Sequence, residues 1–319
     1  MKLMKLISHT TTALGMAMVT FGALAGPLQR GDVPADPIWL LHMDCDALRP
    51  TAIGQFLLAE MAKPEAENKF AAFQLMFSFD PRTALHGLTL YSTGAAPEDG
   101  VLVVYADFDP GRLVTLAKAA RDYQTEMHRI YTIHNWVDDK KMKKKGGTPR
   151  TYAAISGNRV IFGQKQDRVA GALDAMDRIS PNLAGSKAFA SFSNGSGTFL
   201  QAAARKFDMP ASDPNAAIFR LSKQLDLAVR ESQRTVSATL TMEAGDEEVA
   251  GHINAIASGL ISLMKLQKEK PEAVKFAEAL VLSQEGSKVI VNASMAAGDL
   301  IEGMKADAAR KEARKEGGK

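Results

Sequence analysis

The chain has a single cysteine, Cys45, in 319 residues. No intrachain disulfide can staple it, so an apolar core has to hold the fold. Neither sign of charge dominates: 39 Lys and Arg stand against 36 Asp and Glu, a formal net charge of +3. A dedicated nucleic-acid binder carries a strong basic excess, so we expect no nucleic-acid partner. Past the amino-terminal region no apolar run reaches the roughly 20 residues that span a bilayer, so no transmembrane segment is expected in the mature chain. Familiar catalytic signatures are missing as well. There is no G-x-S-x-G, no H-E-x-x-H, no C-x-x-C, no EF-hand loop, no G-x-G-x-x-G and no P-loop. We therefore assign no catalytic residue, no cofactor-binding residue, no metal ligand and no cofactor.

What is present begins with an address. Lys2 and Lys5 precede an uncharged, mostly apolar stretch from Ala13 to Ala23, and Ala23-Leu24-Ala25 fits the small-x-small cleavage rule. Residues 1–25 read as a signal peptide cut before Gly26. The mature protein is then exported, periplasmic or secreted, with 37 bases against 36 acids once the two lysines are gone.

Pro- and Gly-rich residues 26–37 read as a lead-in. Alternation in Trp39-Leu-Leu-His-Met-Asp-Cys45 predicts a strand with Trp39, Leu41, Met43 and Cys45 on one face, which makes Cys45 a buried, inert thiol. Residues 50–79 read as helical with a break near Pro64, and 87–93 and 101–108 as strands. Val101-Leu-Val-Val-Tyr-Ala106 is apolar at both parities, as in a central strand. Asp109-Pro110 opens a helix to about Tyr123. Residues 127–137 read as one strand, 151–163 as a hairpin through Gly157-Asn158, and 167–176 as a helix.

The second half repeats this order. Strands are expected at 198–204, 225–230 and 235–243, with a helix around 215–223 between the first two. A long helix capped by Asp246 runs to about Gln267, another starts at Pro271, a hairpin turns at Gly286, and a last helix runs from Gly298 to about Arg314. Gly157-Asn-Arg-Val-Ile161 matches Gly286-Ser-Lys-Val-Ile290, each leading into a helix. The expected fold is α+β: two pseudo-repeated halves, each an antiparallel sheet with helices on one face. The halves are 38–179 and 198–305, joined by a Ser/Gly/Asn-rich linker at 180–197 and followed by a charged tail at 306–319.

The strand at Val101–Asp109 with its helix, the run Tyr152-Ala-Ala-Ile-Ser-Gly-Asn-Arg-Val-Ile-Phe-Gly163, and Asp246–Gln267 with its hairpin together resemble a family of uncharacterised exported bacterial proteins. The resemblance covers most of the mature chain. It implies export and an α+β fold, and it carries no activity and no functional residue.

Four features remain as candidates. Ser262-Leu-Met-Lys265 matches S-x-x-K without its companion motifs, inside an apolar helix where Ser262 would bond a backbone carbonyl. His128 and His134 share strand parity, but six residues of extended chain hold them roughly 20 Å apart, too far for one ion. His42, His86 and His252 converge only if the fold brings them together. The helix over 247–267 carries a wide apolar stripe, including Val249, Ile253, Ile256, Leu260, Leu263 and Met264, and reads as a core helix, one wall of a ligand cavity, or a partner-binding helix. Gly251 and Gly259 would let a neighbouring backbone come close. Lys140, Lys141, Lys143, Lys144, Lys145 and Arg150 lie between two strands, as a solvated loop or as a contact for an anionic surface. The expected role is a non-catalytic exported protein that serves the cell envelope structurally or binds an unknown envelope protein or lipid surface. The alternative is a carrier of an apolar ligand or lipid, and a third class is an unrecognised hydrolase.

Overall fold

The structure, a computed structural model, describes residues 26–138, 149–189, 197–205, 221–267 and 271–316, with side chains as far as residue 310. Among them are twelve strands: β1 (Trp39–Asp44), β2 (Leu85–Ser92), β3 (Gly100–Ala106), β4 (Gln124–His128), β5 (Tyr131–Val137), β6 (Arg150–Ser156), β7 (Arg159–Gly163), β8 (Thr198–Arg205), β9 (Ser222–Ser232), β10 (Thr235–Ala244), β11 (Leu280–Glu285) and β12 (Lys288–Ala296). The helices are α1 (Cys45–Leu48), α2 (Ala52–Met61), α3 (Pro64–Phe77), α4 (Pro81–Ala84), α5 (Pro110–Lys118), α6 (Gln166–Met176), α7 (Glu247–Lys265), α8 (Pro271–Glu278) and α9 (Ala297–Glu316).

The chain is α+β, and all twelve strands lie in one sheet, in the order β11-β12-β10-β9-β8-β1-β2-β3-β7-β6-β5-β4, with antiparallel neighbours throughout. The sequence leaves open whether the halves share a sheet; they do, because β1 pairs with β8. Cross-strand partners share a face. One row therefore crosses the molecule through Leu282, Val291, Leu240, Leu227, Ala202, Leu41, Leu90, Leu102, Phe162, Ala153 and His134. On the opposite face the row reads Asn292, Thr239, Ala228, Gln201, His42, Thr89, Val103, Ile161 and Ala154. The first row is apolar almost to its end. The second turns from polar to apolar as it enters the first half.

That difference decides where the core sits. In the first half the second face is buried: Val103, Ile161 and Ala154 pack with Val169 and Leu173 of α6 and with Leu183 and Phe189. Residues 26–33 strap across the same core. Leu28 and Val33 are buried, and the Arg30 guanidinium donates to the carbonyls of Phe189 (2.9 Å), Ala188 (3.0 Å), Leu183 (3.1 Å) and Ser186 (3.3 Å). In the second half the first face carries the core, with Leu225, Met242 and Val289 beneath Ala250 and Ile253 of α7. Helices thus lie on both faces of the first half, α5 on one and α6 on the other, contrary to the one-face expectation. Apolar residues at both parities of β3 and β7 require cover on both sides.

Local signals act as the sequence implies. Asp109 caps α5 by accepting from Gly111 N (2.8 Å) and Arg112 N (3.2 Å), and Asp246 caps α7 by accepting from Val249 N (2.8 Å). Gly157 and Gly286 open two-residue turns at φ +61° and +56°, a region that favours glycine. Other expectations are corrected. The strand expected over 127–137 is a hairpin, β4–β5, turning at Arg129 (φ +56°) and Ile130. His128 Nε2 and Arg129 Nε both bond Asp174 Oδ1 (2.9 and 2.8 Å), so a tertiary contact with α6 holds the turn. The helix from Asp109 stops at Lys118, and the chain reverses through Asp122 at φ +51°. The helix expected around 215–223 lies largely outside the described residues.

The long helix is the main revision. Val249, Ala250, Ile253 and Ala257 of α7 pack on the sheet, but its carboxyl-terminal half overhangs: Leu260 is 47% exposed and Leu266, just beyond it, 71%. Among the described residues a Cβ on Gly259 would meet nothing within 4 Å and one on Gly251 only Gln284, so neither glycine serves a close approach of described backbone. Leu260→Ala, which a fully buried stripe would make expensive, should cost under about 1 kcal/mol. Ile253→Ala, at a fully buried position, should cost about 2–5 kcal/mol. Urea midpoints of the two variants check this directly.

Candidate functional site

An apolar cleft of about 420 Å³ opens where α5 crosses the first face of the sheet. Its roof is the inner stripe of α5, Leu113, Leu116 and Ala117, spaced so that one helical face points down, with Ala120 just beyond the helix. Its floor is the alternate positions of three strands: Trp136 of β5, Ala153 and Ile155 of β6, Val160 and Phe162 of β7. Met76 and Phe77 of α3 close one side. Arg112 of α5 fixes that wall, donating to the carbonyls of Met76 (2.9 Å) and Leu75 (3.2 Å). Phe73 packs on Phe77 at 4.4 Å between ring centroids, with the rings tilted by 31°, and meets Phe79 edge-on at 5.3 Å, which stiffens the end of α3.

Among the described residues one polar side chain lines the cleft, His134 of β5. Its Nδ1 lies 2.8 Å from the Tyr123 hydroxyl, with the rings stacked at 5.9 Å. Burial, and then the nearby Lys118 charge, pull the His134 pKa below its ordinary value, so the cleft presents a neutral imidazole. A second, shallower hollow of about 340 Å³ adjoins it across Phe162 and includes Trp39, Leu90 and Leu102. Between α5 and α7 the same face presents Leu41, 36% exposed, with Trp39, Met43, Leu88 and Leu200 half-buried.

The residues singled out in the sequence scatter. Lys140, Lys141, Lys143, Lys144 and Lys145 lie outside the described residues. Arg150 points inward: its guanidinium meets Asp122 Oδ2 at 2.5 Å, the Asp122 carbonyl at 2.6 Å and Asn135 Oδ1 at 2.6 Å, and its side chain is 18% exposed. It also holds the Asp122 carboxyl below its usual pKa range. His128 and His134 end on opposite faces, because the β4–β5 turn places His128 opposite Tyr131. His42, His86 and His252 do not converge. His42 bonds Thr89 Oγ1 and the Gly26 carbonyl, both at 2.9 Å, while His86 lies between Asp46 (3.0 Å) and Asp107 (3.1 Å), and His252 is exposed. Among the described residues no group of three or more His, Cys, Asp or Glu is placed to hold a metal ion. Ser262 Oγ donates to the Ser258 carbonyl at 2.8 Å. Cys45 is half-buried, and burial pushes its thiol pKa up to about 11, so it is a poor nucleophile at neutral pH. Also among the described residues, no helix is long and apolar enough to cross a membrane.

The α5 stripe was legible in the sequence as a helix face. That this face covers a cleft was not, because the strands beneath it come from residues 20 to 50 positions further along the chain.

No family model matches the sequence, and no curated protein matches it. Among solved structures the chain is similar to crystal form III of TP0453, at TM-score 0.48 and 10% identity over 87% of this chain and 98% of that one. It is also similar to crystal form I of TP0453, at TM-score 0.46 and 9% identity over 88% and 98%. Likeness at this level carries no functional argument.

Burial makes two histidines, His42 and His134, pH-sensitive. Desolvation pulls the pKa of His42 as well as His134 below the ordinary value. A base whose folded pKa is depressed binds fewer protons folded than unfolded, so stability falls as pH drops below about 6.5 toward the folded values. Denaturant midpoints measured from pH 7.5 down to 5 should decline, and His42→Gln should flatten that decline.

Proposed function

We propose that this is an exported, non-catalytic protein that holds a small apolar or amphipathic molecule between α5 and the sheet. The observation that carries the reading is the lining of the cleft: among the described residues each one is apolar except His134, which can orient one polar group. The volume falls within the range of about 300–1,000 Å³ usual for small-molecule sites. Export rests on Lys2, Lys5, the apolar stretch and Ala23-Leu24-Ala25. A hydrolase would call for His, Asp and Ser converging on a polar cleft, and His134 instead stacks on Tyr123.

A second reading keeps the protein as a docking partner in the envelope. It rests on the overhanging end of α7, where Leu260, Leu263 and Leu266 are exposed with Phe276 of α8. The two readings separate experimentally. Dodecanoic acid should displace a fluorescent apolar probe from the protein. Ala117→Trp, which fills the cleft, should weaken probe binding at least about tenfold, while Leu263→Ser should leave it unchanged. Equal binding by wild type and Ala117→Trp would remove the cleft reading.

We also propose that the two halves are a pseudo-repeat. Outward from the central pair, β1-β2-β3-β7-β6 on one side corresponds to β8-β9-β10-β12-β11 on the other. In this correspondence α5 matches α7 and α6 matches α9, with β4–β5 as an insertion in the first half. The hairpins at Gly157 and Gly286 occupy equivalent places.

A further inference from the structure

Gly26 follows Ala23-Leu24-Ala25 and is buried at the start of the strap. Its carbonyl accepts a hydrogen bond from His42 Nε2 at 2.9 Å. A Cβ at this position would come within 2.8 Å of Asp44 Oδ1 and 3.2 Å of Oδ2, so the Gly26 Cα lies against the Asp44 carboxylate. The chain beyond is fixed: Leu28 and Val33 are buried, Arg30 is bonded to four carbonyls, and Asp32 accepts from Tyr105 Oη (3.0 Å) and Arg159 (2.7 Å).

Asp44 itself is 7% exposed. Its Oδ1 accepts from Ala47 N at 2.8 Å, which caps α1. Among the described residues no cation lies within ion-pair distance of it. The charged groups nearby are Asp46, which repels it, and Arg49, whose guanidinium bonds Asp46 (2.7 Å) and the carbonyls of Arg82 (3.0 Å) and Leu85 (2.7 Å). His42, on the same strand, is bonded at both ring nitrogens. A buried carboxylate without a cation is costly, and burial raises the Asp44 pKa accordingly.

We propose that cleavage between Ala25 and Gly26 supplies the missing cation, because the new α-ammonium of Gly26 pairs with the Asp44 carboxylate and locks the strap onto the sheet. In the cleavage, performed by a signal peptidase, water adds its hydroxyl to the Ala25 carbonyl carbon and a hydrogen to the Gly26 nitrogen as the peptide bond breaks. At neutral pH the new Ala25 carboxylic acid gives up its proton and departs as a carboxylate, and the Gly26 amine takes a proton to become –NH3+. The nitrogen is one covalent bond, about 1.46 Å, from the Cα whose Cβ direction meets the Asp44 carboxylate. Export processing and completion of the fold become one event, and the space beside Asp44 requires a residue without a Cβ at position 26.

The inference rests on the cleavage-site reading, and the test separates the two. Amino-terminal sequencing of the exported protein should begin at Gly26; another start overturns the cleavage reading and the ion pair with it. The exported chain is then compared with the same chain keeping Ala25. The longer chain should unfold at lower urea, with an unfolding constant raised roughly tenfold or more. Asp44→Asn preserves the helix cap and should abolish the difference between the two chains. Equal midpoints in the wild-type background, or a difference that persists in Asp44→Asn, would overturn the ion pair while leaving the cleavage site standing. If Asp44→Asn does not fold, titration of the wild-type α-amine decides. A pKa above that of a Gly-Pro-Leu peptide supports the pair, and an unshifted value overturns it.

Discussion

The antiparallel pairing of β1 with β8, from Trp39 opposite Ala204 to Met43 opposite Leu200, joins two sets of strands into one sheet. Without it each half would end in a strand with a row of unpaired backbone groups beside an apolar face. The seam is reinforced at its end. Arg205 donates its backbone N–H to the Ile38 carbonyl (2.8 Å) and its Nε to the Pro37 carbonyl (2.8 Å), pairs with Asp36, and lies over the Phe189 ring at 5.5 Å. A second tie crosses at α2, where Glu231 of β9 accepts from Ala52 N (2.7 Å) and Ile53 N (3.2 Å). That carboxylate meets the positive end of a helix from the other half.

A shared sheet also explains the distribution of apolar surface. The first half buries one face under α6 and the strap, and the second half buries the other under α7. The face common to α5 and α7 therefore stays apolar across the seam, yet is only half-covered at Trp39, Leu41, Met43 and Leu88. The cleft under α5 opens on that face. Its polar counterpart in the second half needs no cover, and Thr239 there donates to Asn292 at 2.8 Å.

Much of the scaffold was legible in the sequence because its signals are local. The caps at Asp109 and Asp246, the turns at Gly157 and Gly286, and the alternation from Val236 to Met242 depend on neighbours a few residues away. What escaped depends on distant partners. The turn at Arg129 is held by Asp174, and the strap at Arg30 by carbonyls 150 and more positions later. The apolar stripe of α7 could not show that the sheet ends beneath its middle, leaving Leu260 in the open. For the same reason the cleft lay hidden: its roof read as an ordinary amphipathic helix, and His134 read as a strand residue. The histidine pair at 128 and 134 was excluded from metal binding by extended-strand spacing, whereas in the fold a turn sends them to opposite faces.

The account depends on the seam making the two halves one cooperative unit. Native-state hydrogen exchange of the β1 and β8 amides tests this most directly. We expect the slow amides of β1, β3, β8 and β10 to exchange with one shared opening free energy, equal to that of global unfolding. If the amides of β8 to β12 opened together at a distinctly lower free energy than those of β1 to β3, the halves would be separate folding units and the account would be contradicted.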